Sequence, residues 1–322
     1  MIKKLEKTYD NIRRKLKHLD RNIRTVKSNC DKFYIVILFD MFICYLLYFI
    51  NIDEYKVLEF YKMNHAIRKT FVNEIKHNFY KRFFYKKDII GIICDKKKFL
   101  RRFDNYIKSD VVNINDISYK KFEEMLLENK KVLCRGVGRS FISSYEVYDL
   151  SKFRGVGFVF EKIKNNKLLL CQKNLIQNKK LNEISDNLVV INIVSMINNG
   201  KVDIVCSYVS FKEDGELIKG YIDIKKGIVK GHLRKNDFNI YDMDVINYEI
   251  PKMDEMIDLV KKCALEIEEI KEVVWSLCVD NRGKVHLMDA DIWEDYIFAQ
   301  IPEYVGKKGG LDDYYRKIVF KK

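Results

Sequence analysis

The strongest constraint on the fold is a change of sequence pattern near residue 131. Beyond it the chain breaks into short apolar runs such as LVVINIVSMI and KVDIVCSYVSF, separated by turn sequences such as NNGK and EDGE. These runs predict antiparallel β-strands joined by short turns. An amphipathic helix from about Lys252 to Ile267 and a hairpin, VVWSLCVD–NRGK–VHLMDAD, close the series.

The part before this change has a helical pattern. Residues 53–90 are aromatic-rich and predict helix, and only 2 Pro and 14 Gly occur in the whole chain, so no flexible linker is visible. Helices followed by an antiparallel sheet with a packed helix predict an α+β fold. Hydrophobic residues make up 48% of the chain, which excludes a disordered protein.

The N-terminal helix carries a heptad stripe. Its apolar positions alternate in steps of three and four and are Ile2, Leu5, Tyr9, Ile12, Leu16, Leu19, Ile23 and Val26. Residues 1–32 hold 11 Lys or Arg against 4 Asp or Glu, half of the net charge of +14. The stripe must be buried against something. The interpretations are a helix packed on its own domain, which we rank first, a short coiled coil, or a basic amphipathic helix on anionic lipid.

The run from Phe33 to Ile50, FYIVILFDMFICYLLYFI, is nearly long enough to span a membrane. Asp40 interrupts it near the middle, where a charge in lipid would be costly. We therefore favour a buried helix, with Asp40 paired inside the fold, over a membrane span.

The cysteines bear on the compartment. None of the 8 Cys forms a CxxC pair, and most lie in apolar runs where a thiol behaves as a small hydrophobe. This favours reduced thiols in a cytoplasmic protein. No cleavable signal peptide is expected, because the first apolar run follows about thirty largely polar residues.

The closing hairpin carries the best candidate site. Asp289 and Asp291 are one residue apart at a strand end, so both side chains leave the same face. Two carboxylates there suit a hard cation, and Mg²⁺ bridging nucleotide phosphates is a common use. Alone this motif is a weak signal, since such a pair is often just two solvated turn residues.

Short motifs follow one another in a set order from about Asp31 to Gly306. They are Asp40-Met41-Phe42-Ile43-Cys44, Asp53-Glu54-Tyr55, Phe60 to Phe71 with Arg68, Asp95-Lys96-Lys97-Lys98-Phe99, Val132 to Gly138, Gln172 to Gln177, Ile250-Pro251, Trp275-Ser276, Asp289-Ala290-Asp291 and Gln300. In this order and spacing they resemble the sugar-transfer-associated ATP-grasp family.

The resemblance implies a two-lobed ATP-grasp-like fold that holds ATP and Mg²⁺. It also implies a ligase that joins a carboxylate to an amine through an acyl phosphate, in cell-surface polysaccharide biosynthesis. The matching positions are Lys96 and Arg135 for the phosphates, Gln172, Lys173 and Leu175 for the adenine hinge, Arg135 and Asn192 for catalysis, and Asp289 and Asp291 for the metal. Positioning and charge neutralisation are the protein's main part in phosphoryl transfer.

Several of these positions depart from the family pattern. Arg135 stands where the family has Lys, Gln172 replaces a Glu, Asn192 replaces an Arg, and Ser276 replaces an Asp. A second hypothesis is therefore a catalytically degenerate ATP-grasp protein that binds a partner or scaffolds a biosynthetic complex. A third is a membrane-surface or nucleic-acid-binding protein whose basic helix is the functional part.

The sequence also suggests domains and partners. We expect a basic amphipathic helix over 1–31, a helical region over 32–92, and an ATP-grasp-like domain over 93–322 with lobes of roughly 93–175 and 176–322. The partners implied are a nucleotide and a sugar- or amino-acid-containing carboxylate. Nucleic acid is not expected, because the aromatic residues lie in apolar runs. The protein is expected in the cytoplasm, with peripheral contact to an anionic inner membrane face as the lipid alternative for the basic helix.

Overall fold

The chain forms two compact units. The structure is a computed structural model that describes residues 2–107, 111–136, 145–173, 175–235, 238–293, 295–306 and 309–320. Met1–Lys81 and Asp295–Lys322 make up the first, here the helical unit, and Arg82–Glu294 make up the second, here the sheet unit.

Helices build the helical unit and cover parts of the sheet unit. In chain order they are α1 (Ile2–Ser28), α2 (Tyr34–Tyr48), α3 (Ile52–Val57), α4 (His65–Arg68), α5 (Glu74–Phe84), α6 (Lys87–Cys94), α7 (Lys96–Arg102), α8 (Tyr119–Asn129), α9 (Val156–Asn165), α10 (Lys179–Asn182), α11 (Met253–Leu265), α12 (Pro302–Val305) and α13 (Asp312–Phe320), with 3₁₀ turns at Phe60–Lys62, Leu150–Lys152 and Phe298–Gln300. Polar caps fix several starts. Asn51 and Glu54 form a reciprocal capping box at α3, and the Ser118 hydroxyl caps α8.

Two antiparallel sheets build the sheet unit. The strands are β1 (Val112–Asn113), β2 (Lys131–Arg135), β3 (Glu146–Asp149), β4 (Leu170–Lys173), β5 (Val190–Asn198), β6 (Lys201–Glu213), β7 (Glu216–Asp223), β8 (Ile228–Val229), β9 (Leu233–Lys235), β10 (Ile240–Tyr241), β11 (Glu272–Val279) and β12 (Val285–Asp291). The small sheet has the order β1-β4-β2-β3, and the large sheet has the order β10-β9-β7-β6-β5-β11-β12 with β8 beside β7. The predicted α+β class, with antiparallel sheets and N-terminal helices, is confirmed.

Both faces of the large sheet are buried at its central strands, β5 and β11. One face packs on α11, whose Met256 and Val260 are fully buried, so the predicted apolar face of this helix is confirmed. The other face meets the small sheet, where Leu133 of β2 packs in one cluster with Val190 of β5 and Met288 of β12. Strand side chains alternate between faces, so every second residue of these strands points into the space between the sheets.

An ion pair fixes α2 in the helical unit. Both Arg68 Nη atoms donate to the Asp40 carboxylate, at 2.8 and 2.7 Å, and the Tyr55 hydroxyl donates to it at 2.6 Å. Burial alone would raise the pKa of Asp40, but the hydrogen bonds from Arg68 and Tyr55 hold it below its usual value. The prediction that Asp40 is paired inside the fold is therefore confirmed.

The burial predicted for the whole of α2 is wrong for one face. Ile37, Met41, Cys44 and Tyr48 are buried, but the opposite stripe remains in solvent, and Phe39 is 64% exposed. The run is apolar all round, so its sequence period could not show that only one face has a packing partner. No helix among the described residues is long and apolar enough to cross a membrane.

Over residues 9–28, where side-chain burial is described, the stripe of α1 is buried near its C-terminal end. Ile23 and Val26 are fully buried, whereas Tyr9, Ile12 and Leu16 are between 52 and 65% exposed. The expectation that the stripe is buried therefore fails over this middle part of the helix.

All 8 Cys lie in the described part of the chain as free thiols.

Candidate functional site

Lys96 is the first residue of α7, and the way this helix begins directs its side chain inward. The Asp95 carboxylate caps the helix by accepting from the backbone N–H groups of Lys97 and Lys98. Lys96 is 1% exposed, and its Nζ donates to the carbonyls of Ile93 at 3.1 Å and Ala290 at 2.8 Å. A buried ammonium needs such partners because it has left its hydration shell.

Two carboxylates of β12 complete the pairing of Lys96. Its Nζ lies 3.1 Å from Asp289 Oδ1 and 3.6 Å from Asp291 Oδ2. Asp289 is 1% exposed, while the side chain of Asp291 is 28% exposed. Both carboxylates contact one ammonium, as expected for residues i and i+2 of a strand.

Arg135 ends β2 of the small sheet and reaches the same place. Its Nη1 lies 2.9 Å from Asp289 Oδ2, and both side chains are 1% exposed. Asp289 thus lies between two cations that come from different segments, α7 and β2. We call Lys96, Arg135, Asp289 and Asp291 the charge cluster.

Burial and charge act against each other at Asp291. Burial raises the pKa of this carboxyl, the Lys96 ammonium lowers it, and the neighbouring Asp289 raises it again. The net direction is upward, so the ionised form is less well accommodated here than in water.

A polar row leads across the large sheet to the charge cluster. Asn192 of β5 pairs with Ser276 of β11, which pairs with Asp289 of β12, so the three side chains share one face. The Ser276 hydroxyl donates to Asn192 Oδ1 at 3.0 Å, and Asn192 Nδ2 donates to the Ser210 hydroxyl at 2.6 Å. The row places Asn192, one of the two residues predicted for catalysis, on the same face as Asp289, which is predicted for the metal.

Gln172 of β4 lies over the same space. It pairs with Leu133 of β2 and therefore points towards the large sheet as Leu133 does. Gln172 is 3% exposed, and its amide nitrogen has no hydrogen-bond partner among the described residues. Such a group is costly unless something binds it.

The rest of the predicted hinge is more open. Lys173 ends β4 with an exposed side chain, and Leu175 is partly buried against the Leu133 cluster. Asn174 lies outside the described residues, as do residues 137–144 beyond Arg135-Gly136.

Gln300 belongs to the helical unit, where its side chain bonds the backbone of Val72.

The structure thus brings together the residues expected for phosphate and for metal, in direct contact with one another. Sequence reasoning missed this pairing, and it missed Ser210 as a partner of Asn192. The one available signal was alternation, because Ser276 interrupts an otherwise apolar strand in VVWSLCV. Which polar residues meet depends on strand register, which short motifs do not specify.

The oxygen atoms of the charge cluster are of the type that binds a hard cation such as Mg²⁺, but they are too few to complete its coordination. Asp289 and Asp291 supply carboxylate oxygens, which Mg²⁺ prefers. Among the described residues, no group of three or more His, Cys, Asp or Glu side chains is arranged to hold a metal ion. Both Asp289 oxygens already face cations. A divalent ion therefore fits only with further oxygen ligands, such as phosphate, and with Lys96 or Arg135 displaced.

Comparison with known proteins finds only distant similarity. No family model and no curated protein matches the chain. Similar solved structures include D-alanyl-alanine synthetase A from Vibrio cholerae, with 9% identity over 72% of this chain and 65% of that one and a TM-score of 0.46. N5-carboxyaminoimidazole synthetase from Staphylococcus aureus, complexed with ADP, is 7% identical over 68% of this chain and 53% of that one, with a TM-score of 0.44. The ATP-grasp ligase PsnB, complexed with minimal precursor, is 8% identical over 74% of this chain and 64% of that one, with a TM-score of 0.41. The chain spans less than two thirds of the length of each.

Proposed function

We propose that the sheet unit binds ATP with Mg²⁺ and uses it to join a carboxylate to an amine, as an ATP-grasp ligase. The observation that carries this proposal is the convergence of two cations and two carboxylates at the charge cluster. A metal-bound triphosphate needs both kinds of group, since phosphoryl transfer depends on neutralising and positioning phosphate charge.

The ion pairs suggest how the cluster changes when ATP binds. A triphosphate carries more negative charge than one carboxylate, so Lys96 and Arg135 exchange Asp289 for phosphate oxygens. Asp289 would then be free to act with Asp291 as an oxygen ligand for a Mg²⁺ ion, which would neutralise phosphate charge when bound.

An adenine site fits beside the cluster. The partnerless amide nitrogen of Gln172 is a donor for an adenine ring nitrogen, and it is buried where solvent would not compete. Leu175 adds apolar surface, and the backbone near Lys173 adds donors and acceptors. These three residues are our assignment for the base.

We assign the reacting groups to Arg135 and Asn192. The Arg135 guanidinium lies where it can hold a transferring phosphoryl group or a substrate carboxylate by two parallel hydrogen bonds. Asn192 offers a neutral amide held by Ser276 and Ser210. The substrate class that we propose, a sugar- or amino-acid-containing carboxylate in cell-surface polysaccharide biosynthesis, rests on the family resemblance alone.

One observation favours a second candidate, a degenerate ATP-grasp protein that binds or scaffolds. The cluster is already neutral, since two cations meet two carboxylates, and three of its four side chains are 1% exposed. Such a network can persist as a structural element. Under this alternative the charge cluster never exchanges its partners.

Equilibrium dialysis against labelled ATP, with and without Mg²⁺, separates the two candidates. Wild type is expected to bind ATP more tightly with Mg²⁺, and Asp291→Asn is expected to abolish that difference. Asp116→Asn is the matched control, because Asp116 is an exposed carboxylate of the same unit. ATP-dependent release of ADP that requires an added carboxylate substrate would then identify a ligase. Absence of ATP binding would leave the degenerate protein.

A further inference from the structure

The exposed stripe of α2 is a large apolar surface on the helical unit. Ile35, Phe39, Phe42 and Leu46 recur at helical spacing and are between 53 and 68% exposed. They lie opposite the buried stripe that runs from Ile37 to Tyr48. Monomeric soluble proteins rarely leave so many large apolar side chains together in water.

The ion pair at Asp40 holds this stripe outward. Arg68 and Tyr55 both bond the Asp40 carboxylate, which fixes the rotation of α2 about its axis. Turning the exposed stripe inward would break these bonds and leave a buried guanidinium without its partner. The stripe is therefore a stable feature of the surface.

Helix α1 extends the apolar surface. Leu19 of α1 and Leu38, Phe42 and Tyr45 of α2 line a common cavity of about 390 Å³. Farther along α1, the exposed Ile12 and Leu16 continue the apolar stripe.

A basic surface adjoins the apolar one. A concave patch on α1 is lined by Asp10, Arg13, Arg14, Lys17, His18 and Arg21. His18 also lines the apolar cavity, so the two surfaces meet at this residue. Along α1 the cationic side chains thus lie across the helix from the apolar stripe, as in amphipathic helices that lie at a lipid interface.

We propose that this combined surface docks on an anionic phospholipid membrane. The exposed stripe of α2 enters the interfacial region, and the Arg and Lys side chains of α1 pair with lipid phosphates. A second copy is a poorer occupant, because two-fold pairing would bring the same positive patches together. Nucleic acid would satisfy the charges and leave the apolar stripe in water.

Sedimentation with vesicles tests the proposal on the intact chain. Wild type is expected to bind vesicles of mixed phosphatidylglycerol and phosphatidylcholine, and to bind phosphatidylcholine alone much less. Phe39→Ser/Leu46→Ser is expected to weaken binding about tenfold or more, because two apolar side chains lose their burial. Arg13→Gln/Lys17→Gln is expected to weaken binding roughly tenfold and to reduce its dependence on salt.

Matched variants separate the surface from general stickiness. Phe158→Ser/Leu127→Ser removes side chains of the sheet unit that are 56 and 54% exposed, and Lys225→Gln/Lys226→Gln removes exposed charges. Both are expected to bind vesicles as wild type does. Equal binding of the Phe39→Ser/Leu46→Ser variant and wild type would overturn the proposal. So would a wild-type dimer in size-exclusion chromatography that this same variant converts to a monomer.

Discussion

Two carboxylates, the partly buried Asp40 of the helical unit and the fully buried Asp289 of the sheet unit, are neutralised in different ways. Asp40 has one cation, Arg68, which donates to both carboxylate oxygens and to the Phe60 carbonyl. Asp289 has two cations, and one of them, Lys96, also contacts a second carboxylate.

This difference distinguishes a structural ion pair from a cluster that contains more charged side chains than the neutralisation of one carboxylate requires. One guanidinium, one hydroxyl and one carbonyl satisfy the first arrangement, which fixes α2 and needs nothing more. The second arrangement gathers four charges, three of them buried, where one pair would have neutralised Asp289, and each added buried charge costs desolvation energy. Groups gathered at such a cost are more typical of a binding site than of a stabilising contact.

Asp289→Asn is expected to have the largest effect on stability. It leaves the two buried cations, Lys96 and Arg135, with one neighbouring carboxylate instead of two. Breaking a buried ion pair costs about 3–5 kcal/mol of unfolding free energy. Urea unfolding followed by tryptophan fluorescence measures the change, since Trp275 and Trp293 both lie in the sheet unit. A loss below about 1 kcal/mol would show that the cluster is not a tight network.

Asp40→Asn is expected to have a smaller effect, confined to the helical unit. It removes the charge from three hydrogen bonds, but the Asp40 and Arg68 side chains are 20 and 10% exposed, so water can replace part of what is lost. We expect a loss of about 2–3 kcal/mol. Hydrogen exchange of α2 and α3 should report it, with the sheet unit unchanged. Faster exchange throughout β5 and β11 would contradict this confinement.

Asp40 and Asp291 are expected to contribute to the pH dependence of stability with opposite signs. The pKa of Asp40 is lowered in the folded protein, so its contribution is present above its ordinary pKa and is lost as the pH falls below about 4. The pKa of Asp291 is raised, so stability from this group is lost as the pH rises above about 4.

Asp291→Asn sharpens this contrast. The variant has no carboxyl group to ionise at this position, so it does not lose stability as the pH rises. Its unfolding free energy near neutral pH is expected to exceed that of wild type by less than about 1 kcal/mol. Asp40→Asn should instead remove the loss at low pH. Unfolding free energies of both variants, measured from about pH 3 to about pH 7, test the signs. Parallel profiles for the two variants would contradict them.

The sequence predicted most of the fold because the fold depends on local patterns. The hairpin that ends at Asp291, the amphipathic helix α11 and the antiparallel strands follow from periodicity and turn residues. The pairing of Asp40 followed from the cost of an isolated charge in an apolar run.

The site was predictable only in part, because its contacts are long-range. Arg135 and Asp289 are far apart in sequence, and no local pattern shows that one neutralises the other. The row from Asn192 through Ser276 depends on the register of β5 and β11. The exposed face of α2 was missed for the opposite reason, since every face of that helix is apolar and only tertiary packing selects one.

The most direct test of the proposed site is a calorimetric titration of the intact wild-type chain with ATP, in the presence and absence of Mg²⁺. The exchange of partners in the charge cluster predicts saturable binding with Mg²⁺ and weaker binding without it, because the metal neutralises the carboxylates that otherwise repel phosphate. No heat of binding at millimolar ATP under either condition would contradict the account, and the charge cluster would then be a structural network.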